Sequence, residues 1–153
     1  MIRKIVKVGV AGTLALGAVA ATQATAQASE AKPKVSFTLR SQVAQSPYRQ
    51  LDISVDGVYS GSAIWSQDPG GDANGDGKED PGDAIIAYDG SADGMGIEAR
   101  LETGRIASTR GHGSPYWSPW ATGNLGEGTA HSMKICLVKG DWESCSSWVT
   151  VYA

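Results

Sequence analysis

Beyond its first 30 residues the chain switches between apolar and polar side chains at every step far more often than it repeats them at helical spacing. In "GIEARLETGRIAST", Ile97, Ala99 and Leu101 alternate with Glu98, Arg100 and Glu102, as in a strand with one buried and one wet face. A two-residue turn at Thr103-Gly104 would set Leu101 opposite Ile106 and Glu102 opposite Arg105, an opposite-charge pair across the strands. In "LDISVDGVYSGSAIW", Asp56-Gly57 reads as a hairpin turn between Leu51–Val55 and Val58–Trp65. The apolar faces of these two arms fall out of step after Val58, which predicts a bulge near Ser60-Gly61. Val35–Arg40, Ala84–Tyr88, Ser132–Val138 and Ser146–Tyr152 are the further candidate strands. With 20 glycines punctuating the chain, many short strands and close turns predict an all-β fold, an antiparallel β-sandwich with long loops.

The N-terminus breaks this pattern. Arg3, Lys4 and Lys7 precede an apolar run from Val8 to Ala21, and Ala26-Gln27-Ala28 closes it, the order of a secretory signal peptide cleaved after Ala28. The run is shorter than the roughly 18 to 20 residues of a membrane span, and no second run follows. The expected organisation is a signal peptide at 1–28, a flexible leader at 29–34 and one sandwich domain at 35–153, secreted and monomeric. Three of the 13 basic residues and none of the 16 acidic ones lie in the signal, so the mature chain carries a net charge of −6. No basic cluster exists to attract nucleic acid.

Export to an oxidising space bears on the two cysteines. In "ICLVKGDWESC", a two-residue turn at Gly140-Asp141 sets Lys139 opposite Trp142 and, three pairs further, Cys136 opposite Cys145. That is a non-hydrogen-bonded position with the short Cα separation a disulfide accepts. A structural Cys136–Cys145 bridge is expected, stabilising by roughly 2 to 3 kcal/mol on the chain-entropy model.

The closing stretch "NLGEGTAHSMKICLVKGDWESCSSWVTVYA" resembles the last strands of a fibronectin type III or immunoglobulin-like domain: Leu125, Gly128 and Thr129 match the turn, an alternating strand and a hairpin follow, and His131 stands where the corner Tyr is usual. The resemblance implies a fibronectin III or immunoglobulin-like sandwich. The whole mature chain is also similar to small secreted proteins of actinobacteria, a likeness that implies no activity.

Candidate chemistry concentrates in "DANGDGKEDPGD". Numbered from Asp72, oxygen side chains stand at positions 1, 3, 5, 9 and 12, namely Asp72, Asn74, Asp76, Asp80 and Asp83, with Gly77 at position 6. The spacing resembles the calcium loops of EF-hands and dockerins, in which alternate residues aim oxygens inward and position 7, here Lys78, ligates through its carbonyl. Glu79 at position 8, the preceding Pro69-Gly70-Gly71 and the interrupting Pro81-Gly82 exclude a helix-flanked EF-hand. What is left is the helix-free loop, expected to hold a structural Ca²⁺ with a Kd on the order of 10⁻⁴ to 10⁻³ M because no closing bidentate Glu is present. An acidic turn without metal is the competing reading, since Asp, Asn and Gly build such turns readily.

A second constellation, "GHGSPYWSPW", sets Tyr116, Trp117 and Trp120 between Ser-Pro steps. Prolines 115 and 119 stiffen the loop and bar it from central strand pairing. Two readings stay open: rigid aromatics that contact a glycan or protein, or rings folded over the open end of a sandwich whose only Phe is Phe37. His112 and His131 are the only histidines and no nucleophile elbow marks a serine, so no enzyme is expected. The function expected is a non-catalytic extracellular binding module. A small secreted inhibitor, an antibacterial toxin and a wall-associated structural protein are the other classes.

Overall fold

The computed structural model describes residues 32–40 and 47–153; the expected signal peptide and residues 29–31 of the leader lie outside the described residues. Residues Lys32–Ala153 form one compact unit built of β1 (Val35–Arg40), β2 (Tyr48–Val55), β3 (Val58–Ser66), β4 (Ala84–Asp89), β5 (Gly96–Leu101), β6 (Ile106–Ser108), β7 (Tyr116–Trp117), β8 (Ala130–Lys139), β9 (Trp142–Cys145) and β10 (Val149–Tyr152). The first sheet runs β1-β2-β3-β4-β7 and the second β10-β8-β5-β6, with β9 pairing the other half of the β8 edge that carries β10. All pairings are antiparallel. The expected all-β sandwich is therefore the observed one, compatible with an immunoglobulin or fibronectin III-like architecture.

Alternation decides what the sheets bury. Leu51, Ile53, Ala63, Trp65, Ile85 and Ala87 point from the first sheet toward Ile97, Ala99, Leu101, Ala107, Met133, Ile135, Leu137 and Val151 of the second, every second residue along each strand. Trp65 is the largest buried side chain, and its indole Nε1 donates 2.9 Å to the Tyr152 carbonyl across the sandwich. The opposite face of the first sheet is not simply wet. Ile64 and Ile86 are buried there beside Asp52, whose carboxylate accepts from Gln50 Nε2 (2.8 Å), Ser62 Oγ (2.7 Å) and Arg40 Nε.

Two hairpins test the counting of residues from turns. Lys139 pairs Trp142 and Cys136 pairs Cys145, where the disulfide closes with Cα atoms 4.0 Å apart. The bulge is also present: Ile53 pairs Gly61 and Ser54 pairs Tyr59, leaving Ser60 as the extra residue.

The Thr103-Gly104 turn needs correcting. Arg100, not Leu101, pairs Ile106. Gly104 takes φ 88° and donates to the Leu101 carbonyl, while Leu101 N donates to Arg105 O, so three residues rather than two close the loop. The one-residue shift turns Ile106 outward and Ala107 inward. It also separates Glu102 from Arg105: Glu102 meets His131 Nδ1 at 3.1 Å, and Arg105 donates to the Asp83 carbonyl.

Candidate functional site

The acidic loop connects β3 to β4 and is closed at its base by backbone bonds. Asp83 N donates to Gln67 O (3.0 Å), Gly70 N to Asp80 O (2.9 Å) and Asp80 N to Gly71 O (3.2 Å). Beyond this base, Asp72 gathers the tip: its Oδ1 accepts from Asp76 N and its Oδ2 from Gly77 N, both at 2.9 Å. Asn74 Oδ1 accepts from Asp76 N at 3.1 Å, and Asp76 Oδ1 from Lys78 N at 2.9 Å. Gly75 and Gly77 supply positive φ values of 71° and 78° at the two points where the chain reverses.

The other two carboxylates face elsewhere. Asp80 is buried, and its Oδ2 takes Ala73 N at 2.6 Å. The Tyr48 hydroxyl lies 2.7 Å from both that oxygen and the Gly70 carbonyl, sharing one proton between two acceptors. Burial first, then the bond to Asp80, raises the Tyr48 pKa, so the phenol stays a donor. Gly71 is required at this contact, since a Cβ there would fall inside the Tyr48 hydroxyl.

Asp83 is buried with φ 50°, and its Oδ2 accepts from Leu125 N at 2.8 Å. It braces the 122–126 connection rather than lying beside the loop's tip. Thus Asp72, Asn74 and Asp76, with the Lys78 amide, stand together, while Asp80 and Asp83 are structural struts. Among the described residues no three acidic, His or Cys side chains converge as a metal cluster. Sequence reasoning missed Tyr48 and Leu125, and their partners lie 32 and 42 residues away.

The aromatic loop is neither a free projection nor part of the core. Tyr116 and Trp117 form β7, an edge strand that pairs Asp89 and Tyr88 of β4. Ser118 N then donates to Ala87 O at 2.8 Å, and Ala121 exchanges both backbone bonds with Ile85. Proline 119 falls in the gap between these contacts, where no ladder donor is needed. Trp117 packs on Tyr88 with ring centroids 4.6 Å apart, Tyr116 stacks on His112 at 3.9 Å, and Tyr116, Trp117 and Trp120 are all half-buried.

The segment leading into this loop, residues 109–114, borders a cleft that no local pattern predicts. It measures about 510 Å³ and lies at one end of the sandwich, between the 89–96 connection, the segment 109–114 and the β8–β9 turn. Asp89, the last residue of β4, lines it and is 2% exposed. Its Oδ1 accepts from Ser91 N at 3.1 Å, and Oδ2 makes no hydrogen bond among the described residues. Burial, and secondarily the nearby Asp93 charge, raise its pKa against the lowering effect of the Ser91 amide. Arg110 also lines the cleft but is engaged, with Nε 2.6 Å from Glu98 Oε1 and one terminal nitrogen 2.9 Å from the Gly140 carbonyl. Lys139 lines it without an ion partner among the described residues, and His112 stands at the lip.

Compared with protein-family models, with curated proteins and with solved structures, the chain matches none.

Proposed function

We propose that this chain is a secreted, non-catalytic binding module whose sandwich, of the immunoglobulin or fibronectin III-like kind, offers the Tyr116–Trp120 edge to an extracellular glycan or protein. The observation that carries this reading is the way the loop is held. Aromatic rings fixed by backbone pairing to β4 are pre-organised and lose little entropy on binding. They remain half-exposed and stand outside the core cluster, and amphipathic rings in that setting suit stacking on sugars or anchoring a protein. The test is capture of extracellular glycans and proteins by the mature domain and by Trp117→Ala. Loss of capture with little change in melting temperature supports the module; a large fall in melting temperature with capture unchanged refutes it. Protease inhibition or killing of competitor cells would reassign the chain to the inhibitors or toxins, and retention in a washed wall fraction without soluble partners to the structural proteins.

A structural calcium ion in the loop 72–80 is part of this reading, supported by the oxygen spacing and by Asp72 collecting two amides of the tip as such loops do. Asp72, Asn74, Asp76 and the Lys78 carbonyl would hold it, with Asp80 bracing the loop through Tyr48 and Ala73 N and Asp83 through Leu125. Melting in EDTA and across about 0.1 to 10 mM calcium should give a rising temperature that equal ionic strength of sodium does not reproduce. Asp76→Ala should abolish the rise; an equal rise in the variant removes calcium from the reading.

A further inference from the structure

The charged groups lining the end cleft divide into satisfied and unsatisfied ones. Arg110 is fixed by Glu98 and by the Gly140 carbonyl. Asp93, which does not line the cleft, accepts one hydrogen bond on each oxygen, from Met95 N at 2.9 Å and Ser60 Oγ at 3.2 Å. Two remain. Asp89 is a buried carboxylate whose only hydrogen bond among the described residues is to Oδ1, leaving Oδ2 without one, and Lys139 is an exposed residue without an ion partner among the described residues. They have opposite sign and line the same cleft, yet do not form an ion pair. A carboxylate buried with one weak partner is held at a cost that a cationic donor would relieve.

We infer that the cleft binds a small zwitterion, with the ligand's ammonium on Asp89 Oδ2 and its carboxylate on Lys139. The chemical class is the free amino acids and short unblocked peptides. A single-charge ligand is disfavoured by the same two residues: a plain amine gains Asp89 but meets Lys139, and a plain carboxylate gains Lys139 but meets Asp89. The volume of about 510 Å³ lies within the range of small-ligand sites, and Met95 and Val138 give it apolar wall. The inference rests on the binding-module reading but uses the cleft, not the Tyr116–Trp120 rings.

Calorimetric titration of the mature domain with glycine, diglycine and triglycine, each also N-acetylated and C-amidated, tests it and measures the span between the charges. At least one unblocked length should saturate below about 10 mM, and each blocked form should bind at least about tenfold more weakly, the worth of a charge-assisted hydrogen bond. Asp89→Asn should bind the acetylated and free peptides alike, and Lys139→Gln should bind the amidated and free peptides alike. Both variants should keep a cooperative melt, since Asn retains the Ser91 bond and Lys139 lies on the surface. No saturation by any of the three lengths, equal binding of blocked forms by the unmodified domain, or discrimination surviving in the variants would overturn the proposal. Partner capture lost only in Trp117→Ala would at the same time leave the module reading standing, so the two fail separately.

Discussion

Two buried carboxylates near one another in sequence titrate in opposite directions, and the reason is visible atom by atom. Burial alone would raise Glu98, but hydrogen bonds and charge from Arg110 (2.6 Å) and Arg100 (2.6 Å) outweigh it and hold Glu98 below the ordinary Glu value. Asp89 has no such cation, and burial leaves it above the ordinary Asp value. The signs follow from linkage. Glu98, lowered in the folded state, stabilises above its unfolded pKa of about 4.3, and that contribution disappears as pH falls through the lower folded value. Asp89, raised in the folded state, contributes stability below about 3.9, lost as pH rises through the raised value. Glu98→Gln should therefore cost about 1 to 3 kcal/mol at pH 7 and progressively less toward pH 3. Asp89→Asn should instead raise the melting temperature at pH 7, with the gain vanishing toward pH 3. Melts of both variants at pH 7, 5 and 3 check this, and parallel curves would refute the assignment.

At the scale of elements, what was legible in the sequence was whatever depends on neighbours along the chain. Counting from Gly140-Asp141 placed Cys136 on Cys145 because the turn has two residues and the ladder then leaves no freedom. The same counting misplaced Ile106, because Gly104 at φ 88° adds a third loop residue, and alternation cannot reveal the loop's length. The bulge was legible from the mismatch of two apolar faces, but its purpose was not. Gly61, next to the extra residue, lets β3 approach both Tyr88 of its neighbour and Ile97 of the opposite sheet. A Cβ at position 61 would fall inside the Tyr88 carbonyl oxygen and 2.7 Å from Ile97 Cγ1. Gly61→Ala should cost about 1 to 3 kcal/mol by overpacking, read as a lower denaturant midpoint with the slope unchanged. Gly57→Ala is the contrast: nothing lies within 4 Å of its Cβ, and only the positive φ of 84° is strained.

At the scale of the molecule, the candidate sites are assembled from segments that no local pattern connects. Tyr48 reaches the acidic loop from β2, Leu125 holds Asp83 from a connection beyond β7, and the cleft needs three separate turns. These contacts could not be read from spacing, because they join segments far apart in the chain that only strand pairing and tertiary packing bring together. They also divide the molecule: the acidic loop belongs to the first sheet, whereas the disulfide ties β9 to β8 in the second. Reducing Cys136–Cys145 reopens a loop with sequence separation 9. On the chain-entropy model this costs roughly 2 to 3 kcal/mol, or on the order of 10 °C in melting temperature. Because β9 pairs only with β8, the loss should fall on the β8–β9 hairpin and on the cleft wall that Val138–Gly140 forms. The calcium response proposed for the loop 72–80 should keep its midpoint, since no hydrogen bond of Asp72, Asn74, Asp76 or Asp80 among the described residues passes through that hairpin. Melting of the reduced, alkylated domain across the calcium series separates the two: a lower curve parallel to the oxidised one is expected, and a calcium midpoint that moves with reduction would show that the sheets act as one unit.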